Sequence, residues 1–118
     1  MPALYCSCMK ASVISKHLVV SLVATPTFLL AAVASAGGGH GSYLLAKILF
    51  PFTMLSTLVF GSIIVPAIAL AVLQFPVYGL VLGRANVKGS VDTHAAVLLL
   101  VHMLGVAACF ILICDNFS

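Results

Sequence analysis

From Leu44 to Leu82 the chain runs for 39 residues with one charge, Lys47. A single helix needs only about 20 apolar residues to cross a bilayer, so a run of twice that length predicts two crossings. Apolar runs at Leu18–Ala36 and Ala95–Cys114 add one crossing on either side. The expected fold is an all-α membrane protein, a small four-span transmembrane helical bundle. Its spans fall at about 18–36, 44–62, 64–82 and 95–114, after a short basic leader at 1–17 and before a polar tail at 115–118. Composition agrees: 64% of the 118 residues are hydrophobic and 6% charged, against roughly 45–50% and 25% in soluble domains.

The basic residues, Lys10, Lys16, Lys47, Arg84 and Lys88, are dispersed. They make no surface for nucleic acid, which needs several phosphate contacts from one face, and suit interfacial anchoring. Four cysteines fall as two pairs, and neither reads as a disulfide framework. Cys109 and Cys114 sit near the end of the last apolar run, where a free thiol behaves as a small hydrophobe. Cys6 and Cys8 are two thiols without further ligands, an incomplete metal site.

Two features compete with four spans. Basic residues, an apolar stretch and Ala34-Ser35-Ala36 before a glycine run follow the layout of a cleavable signal peptide, which would leave three spans beginning near Gly37. Pro26 inside the first run is unusual for such a segment, and membrane helices tolerate it where Thr25 or a neighbour satisfies the freed carbonyl. In the long central run the expected break is Gly61-Ser62, with Pro66 in the first turn of the following helix. The alternative is one kinked span from Pro51 to about Leu73, with a re-entrant segment at 74–83. The positive-inside rule does not choose an orientation for four spans, because Lys10 and Lys16 then oppose Lys47, Arg84 and Lys88; the re-entrant version leaves only Lys47 on the other side. The segments 37–43 and 83–94 are expected as loops, the first glycine-rich, the second polar and ending in Asp92-Thr93 as a helix cap.

Polar groups at membrane depth are the best pointers to function, since burying them unpaired is costly. Four stand out: Lys47, Gln74, Tyr78 and His102, with Thr53 and Ser56 close in depth. Measured from a shared loop side, Lys47 and Tyr78 lie about 5–6 Å in and Gln74 and His102 about 11 Å in, which predicts an intramembrane polar core in which His102 faces Gln74 and Thr53. Lys47 can instead extend its ammonium to the headgroups. On the last helix His102, Gly105 and Cys109 form a stripe of small or polar residues, and Gly79 and Gly83 make a G-x-x-x-G on the third; both suit helix packing. His40, Asp92 and His94 are weak candidates for a metal, which needs three or four converging ligands. No cofactor signature is present, and His102 has no histidine partner at equal depth for a haem. In hydropathy and length the chain resembles small multi-pass membrane proteins of bacteria, a resemblance that implies no activity; the expected location is the bacterial inner membrane. The expected function is that of a non-enzymatic accessory, assembly or packing subunit, with a small oligomeric transporter or channel for protons, ions or a small solute as the alternative. The expected partners are the lipid bilayer and either further copies of the chain or a larger membrane protein.

Overall fold

The computed structural model describes residues 2–37 and 40–113. Cys114 and the tail at 115–118 lie outside them. The described residues form five α-helices: α1 (Pro2–Ala36), α2 (Leu44–Leu49), α3 (Pro51–Phe60), α4 (Val65–Val87) and α5 (Val91–Leu112). The all-α expectation holds. Among the described residues α1, α4 and α5 are long and apolar enough to cross a membrane.

The N-terminal leader is not a separate segment, because α1 runs unbroken for 35 residues, about 52 Å at helical rise. Pro26 sits inside it and withholds an N–H from the Leu22 carbonyl. The hydroxyls of Thr25 and Thr27 donate to Ser21 O and Val23 O at 2.7 and 3.3 Å, the carbonyls on either side of it. Thr25 therefore reinforces the turn next to the proline and does not satisfy the freed carbonyl.

Antiparallel packing of α1 on α4 is the largest interface. Gly79 and Gly83 make it: a Cβ on Gly79 would strike the Ser21 hydroxyl and the His17 carbonyl, and one on Gly83 would lie 3.0 Å from the Ile14 Cα. The predicted G-x-x-x-G is thus a site of close backbone approach. Farther along, the Phe28 ring packs at a tilt against Phe75 with centroids 5.0 Å apart, and Ala32 and Ala71 share a buried cluster with Phe50.

This pairing determines the path of α2 and α3. Because α1 and α4 are antiparallel, the end of α1 and the start of α4 lie at one end of the bundle. The segment between them must leave and return at that end. The region 44–62, expected as one spanning helix, is a hairpin of two short helices, α2 and α3. Its tip is Phe50 (φ −129°, ψ 57°), where the backbone leaves the helical region ahead of Pro51. Pro51 has no N–H to continue α2 and a φ suited to open α3. The tip lies beside Gln74, about 14 Å along α4 from its start. From there α3 runs back until the Thr53 hydroxyl meets Ala67 O at 3.2 Å. Gly61, in the left-handed region (φ 69°), ends α3 where the sequence placed a break, and Pro66 lies in the first turn of α4 as expected.

The alternative re-entrant segment at 74–83 lies within continuous α4. The polar loop expected at 83–94 is mostly helical, its connection reduced to residues 88–90, and the N-cap of α5 is Ser90. Asp92 falls instead in the first turn of α5, where its charge complements the helix dipole. The hairpin also removes the charge conflict. Lys10, Lys16, Arg84 and Lys88 come to one end of the bundle, and Lys47 alone belongs to the other.

Candidate functional site

The site is built on the broken hairpin. A helix break in an apolar environment releases carbonyls that must find donors. In a continuous helix Ile48 O and Leu49 O would accept from the N–H groups of Phe52 and Thr53; here side chains of the two neighbouring helices take them. Gln74 on α4 donates through Nε2 to Leu49 O at 2.8 Å. His102 on α5 binds Ile48 O through Nε2 at 2.8 Å. A carbonyl only accepts, so Nε2 carries the hydrogen, and in the neutral ring Nδ1 is the acceptor for the Tyr78 hydroxyl 3.2 Å away. Cys109 adds a third contact, its thiol donating to Pro51 O at 3.2 Å.

The aromatic rings brace this arrangement. Tyr78 meets His102 edge-on with centroids 6.0 Å apart, Phe52 does so from α3 at 6.5 Å, and Phe75 packs edge-on against both Tyr78 and Phe50. Gly105 permits the approach of α5, since a Cβ there would come within 3.2–3.3 Å of Pro51 and Phe52.

Gln74 and Tyr78, one turn apart on α4, and His102 on α5 therefore meet the hairpin in one region, as their positions on either side of the short α4–α5 turn imply. Their partners differ from those expected. His102 binds Tyr78 and a backbone carbonyl, not Gln74 or Thr53. Thr53 bonds to α4 nearer its start, and Ser56 bonds back to Thr53 O at 2.6 Å within its own helix, so neither joins the cluster. Lys47 Nζ donates to Ile113 O at 3.0 Å, close to the end of α5, and lies 5.7 Å from the centre of the Phe110 ring. The metal candidates separate, His40 lying at the hairpin end and Asp92 and His94 at the other. His94 Nδ1 bonds Ser90 O at 2.9 Å, and no group of three metal-ligating side chains occurs among the described residues.

Two contacts had no clear signal in the sequence. Cys109, expected as a small hydrophobe on the packing stripe of the last helix, is fully buried and also bonded. His17 and Asn86 pair across α1 and α4 at 3.1 Å, at the end carrying the four basic residues.

Two clefts flank the site. One, of about 340 Å³, lies between α1, the hairpin and α4, with apolar walls. The other, of about 270 Å³, lies between α4 and α5, with Tyr78 and His102 among leucines. The polar atoms of the site are committed mainly to holding the hairpin in place. No family model, curated protein or solved structure matches this chain.

Proposed function

We propose that the chain is a non-enzymatic membrane subunit that packs, through its long apolar helices, against a larger membrane protein or further copies of itself. Its three long helices cross the bilayer, with the end bearing Lys10, Lys16, Arg84 and Lys88 on the cytoplasmic side, as the positive-inside rule requires. One observation carries the reading: the polar side chains at depth are spent inward, on backbone carbonyls of the same chain, while the apolar stretches of α1, α4 and α5 are only 11, 22 and 17% buried. On α5 the exposed residues Val97, Leu100, Leu104 and Ile111 form a stripe opposite the face that holds His102, Gly105 and Cys109. The test is photocross-linking from position 104 in native membranes. A discrete protein adduct, lost when Leu100 and Val97 are replaced by serine, supports the subunit reading; adducts with lipid alone overturn it.

A transporter or channel is the second reading, favoured by the helix break near mid-depth. Interrupted helices line binding sites in many transporters because their ends offer unpaired backbone groups. Purified protein in liposomes would then show a proton or solute flux abolished by His102→Ala or Gln74→Leu.

A further inference from the structure

The carbonyls of Ile48 and Leu49 at the hairpin tip have side-chain partners, and the N–H groups they would meet in a continuous helix lie in the first turn of α3. Met54 N–H returns to Phe50 O at 3.1 Å. Phe52 and Thr53 stand in the first turn of α3, where N–H groups have no acceptor within their own helix, and no N-cap side chain meets them. On the carbonyl side, Lys47 O is also released, since its helical donor would be the nitrogen of Pro51. Beside these groups lies Gln74, 7% exposed, with Nε2 on Leu49 O and Oε1 buried without a partner. The surroundings are buried: Phe50, Thr53 and Ala71 are 3, 6 and 4% exposed. Two donors and one acceptor thus belong to the turn that opens α3, a helix of ten residues, and the second acceptor, Gln74 Oε1, belongs to the side-chain amide that bonds to this turn at Leu49 O.

The chemistry of the set selects the ligand. An anion would satisfy the N–H groups and the positive end of the α3 dipole but would face the lone pairs of Gln74 Oε1. A metal cation would satisfy Oε1 but would face two N–H groups and the same dipole, with no carboxylate at this depth to offset its charge. Water donates and accepts, and buried waters typically make about three hydrogen bonds to such groups. We propose that a water molecule is bound at the tip of the hairpin, donating to Gln74 Oε1 and Lys47 O and accepting from the N–H groups of Phe52 and Thr53. It completes the hydrogen bonding that Pro51 interrupts, and ordered water is one means by which membrane helices tolerate a break.

The full chain in lipid nanodiscs, labelled with ¹⁵N, tests this by magnetisation transfer from water to individual amides. Transfer to Phe52, Thr53 and the Gln74 side-chain amide is expected, with none to Ala71 or Leu73 at the same depth on α4. In Gln74→Met, which keeps the length and removes the acceptor, transfer to Phe52 and Thr53 should be lost. Absence of transfer in the wild-type protein overturns the proposal, and this arm stands even if the variant fails to fold. Undiminished transfer in a folded Gln74→Met protein also overturns it. Titrations with sodium chloride and with sodium phosphate should leave the three resonances unmoved; a saturable shift would assign the site to an ion instead.

Discussion

Replacing His102 by leucine separates two views of the intramembrane histidine by the sign of the effect. Both ring nitrogens are bonded, one to Ile48 O at 2.8 Å and one to the Tyr78 hydroxyl at 3.2 Å. Interhelical hydrogen bonds in membranes average about 0.6 kcal/mol, with a maximum near 1.7, so losing two costs about 1.2–3.4 kcal/mol. Leucine in an apolar setting is itself favourable. A histidine that merely faced lipid would therefore give a neutral or stabilising change. Tyr78→Phe removes only one of the two bonds and should cost about 0.6 kcal/mol. The double variant should cost less than the sum of the singles, because the Tyr78–His102 bond is counted in both. Reversible unfolding in mixed micelles, followed by helical circular dichroism, measures all three. A His102→Leu protein as stable as the wild type, or strict additivity with Tyr78→Phe, would refute the role given to His102 in holding the hairpin.

Gly79→Leu should force α1 from α4, since even a Cβ there meets Ser21 and the His17 carbonyl; a loss of about 1–3 kcal/mol is expected from overpacking, and an unchanged unfolding midpoint would contradict the close approach. The hairpin predicts that 37–43 and 61–64 share one side of the membrane and 88–90 the other. Single cysteines at Ser42, Ser62 and Ser90, in a background without the native ones, should label accordingly with an impermeant maleimide; labelling of Ser42 together with Ser90, and opposite Ser62, would restore four spans. Because α1 supplies the largest interface, the protein extracted from membranes should retain it, and an intact mass beginning at Gly37 would show that the Ala34-Ser35-Ala36 motif is cut.

Hydropathy measures how much chain can reside in a bilayer and carries no information about direction. The 39 apolar residues from Leu44 to Leu82 accommodate two crossings or one crossing and a hairpin, and length alone favours the first. Two local signals pointed to the second. Phe50-Pro51 interrupts the first half, and four spans distribute the basic residues so evenly that neither orientation is preferred. The alternative to four spans places a re-entrant segment at 74–83, where Pro76 and two glycines also weaken a helix. There Gly79 and Gly83 serve packing against Ser21 and Ile14, and Pro76 is accommodated within α4.

The site was legible where it depended on short connections. Tyr78, Gln74 and His102 lie on two helices joined by residues 88–90, so their relative depth follows from counting residues along each helix. Thr53, Ser56 and Lys47 belong to the hairpin, whose reversal changes their depth and removes them from the cluster. Their partners were also hidden for a general reason: side-chain pairing can be guessed from sequence, whereas the carbonyls of Ile48 and Leu49 become available only once the helix breaks at Phe50. Pro51 alone removes one donor, from Lys47 O; the departure of Phe50 from helical geometry frees the next two carbonyls as well. Those two point to different helices, and each finds a donor there, Gln74 on α4 and His102 on α5. Polar residues at both positions are thus required by a single backbone event, which explains why they lie near mid-depth with no charged partner.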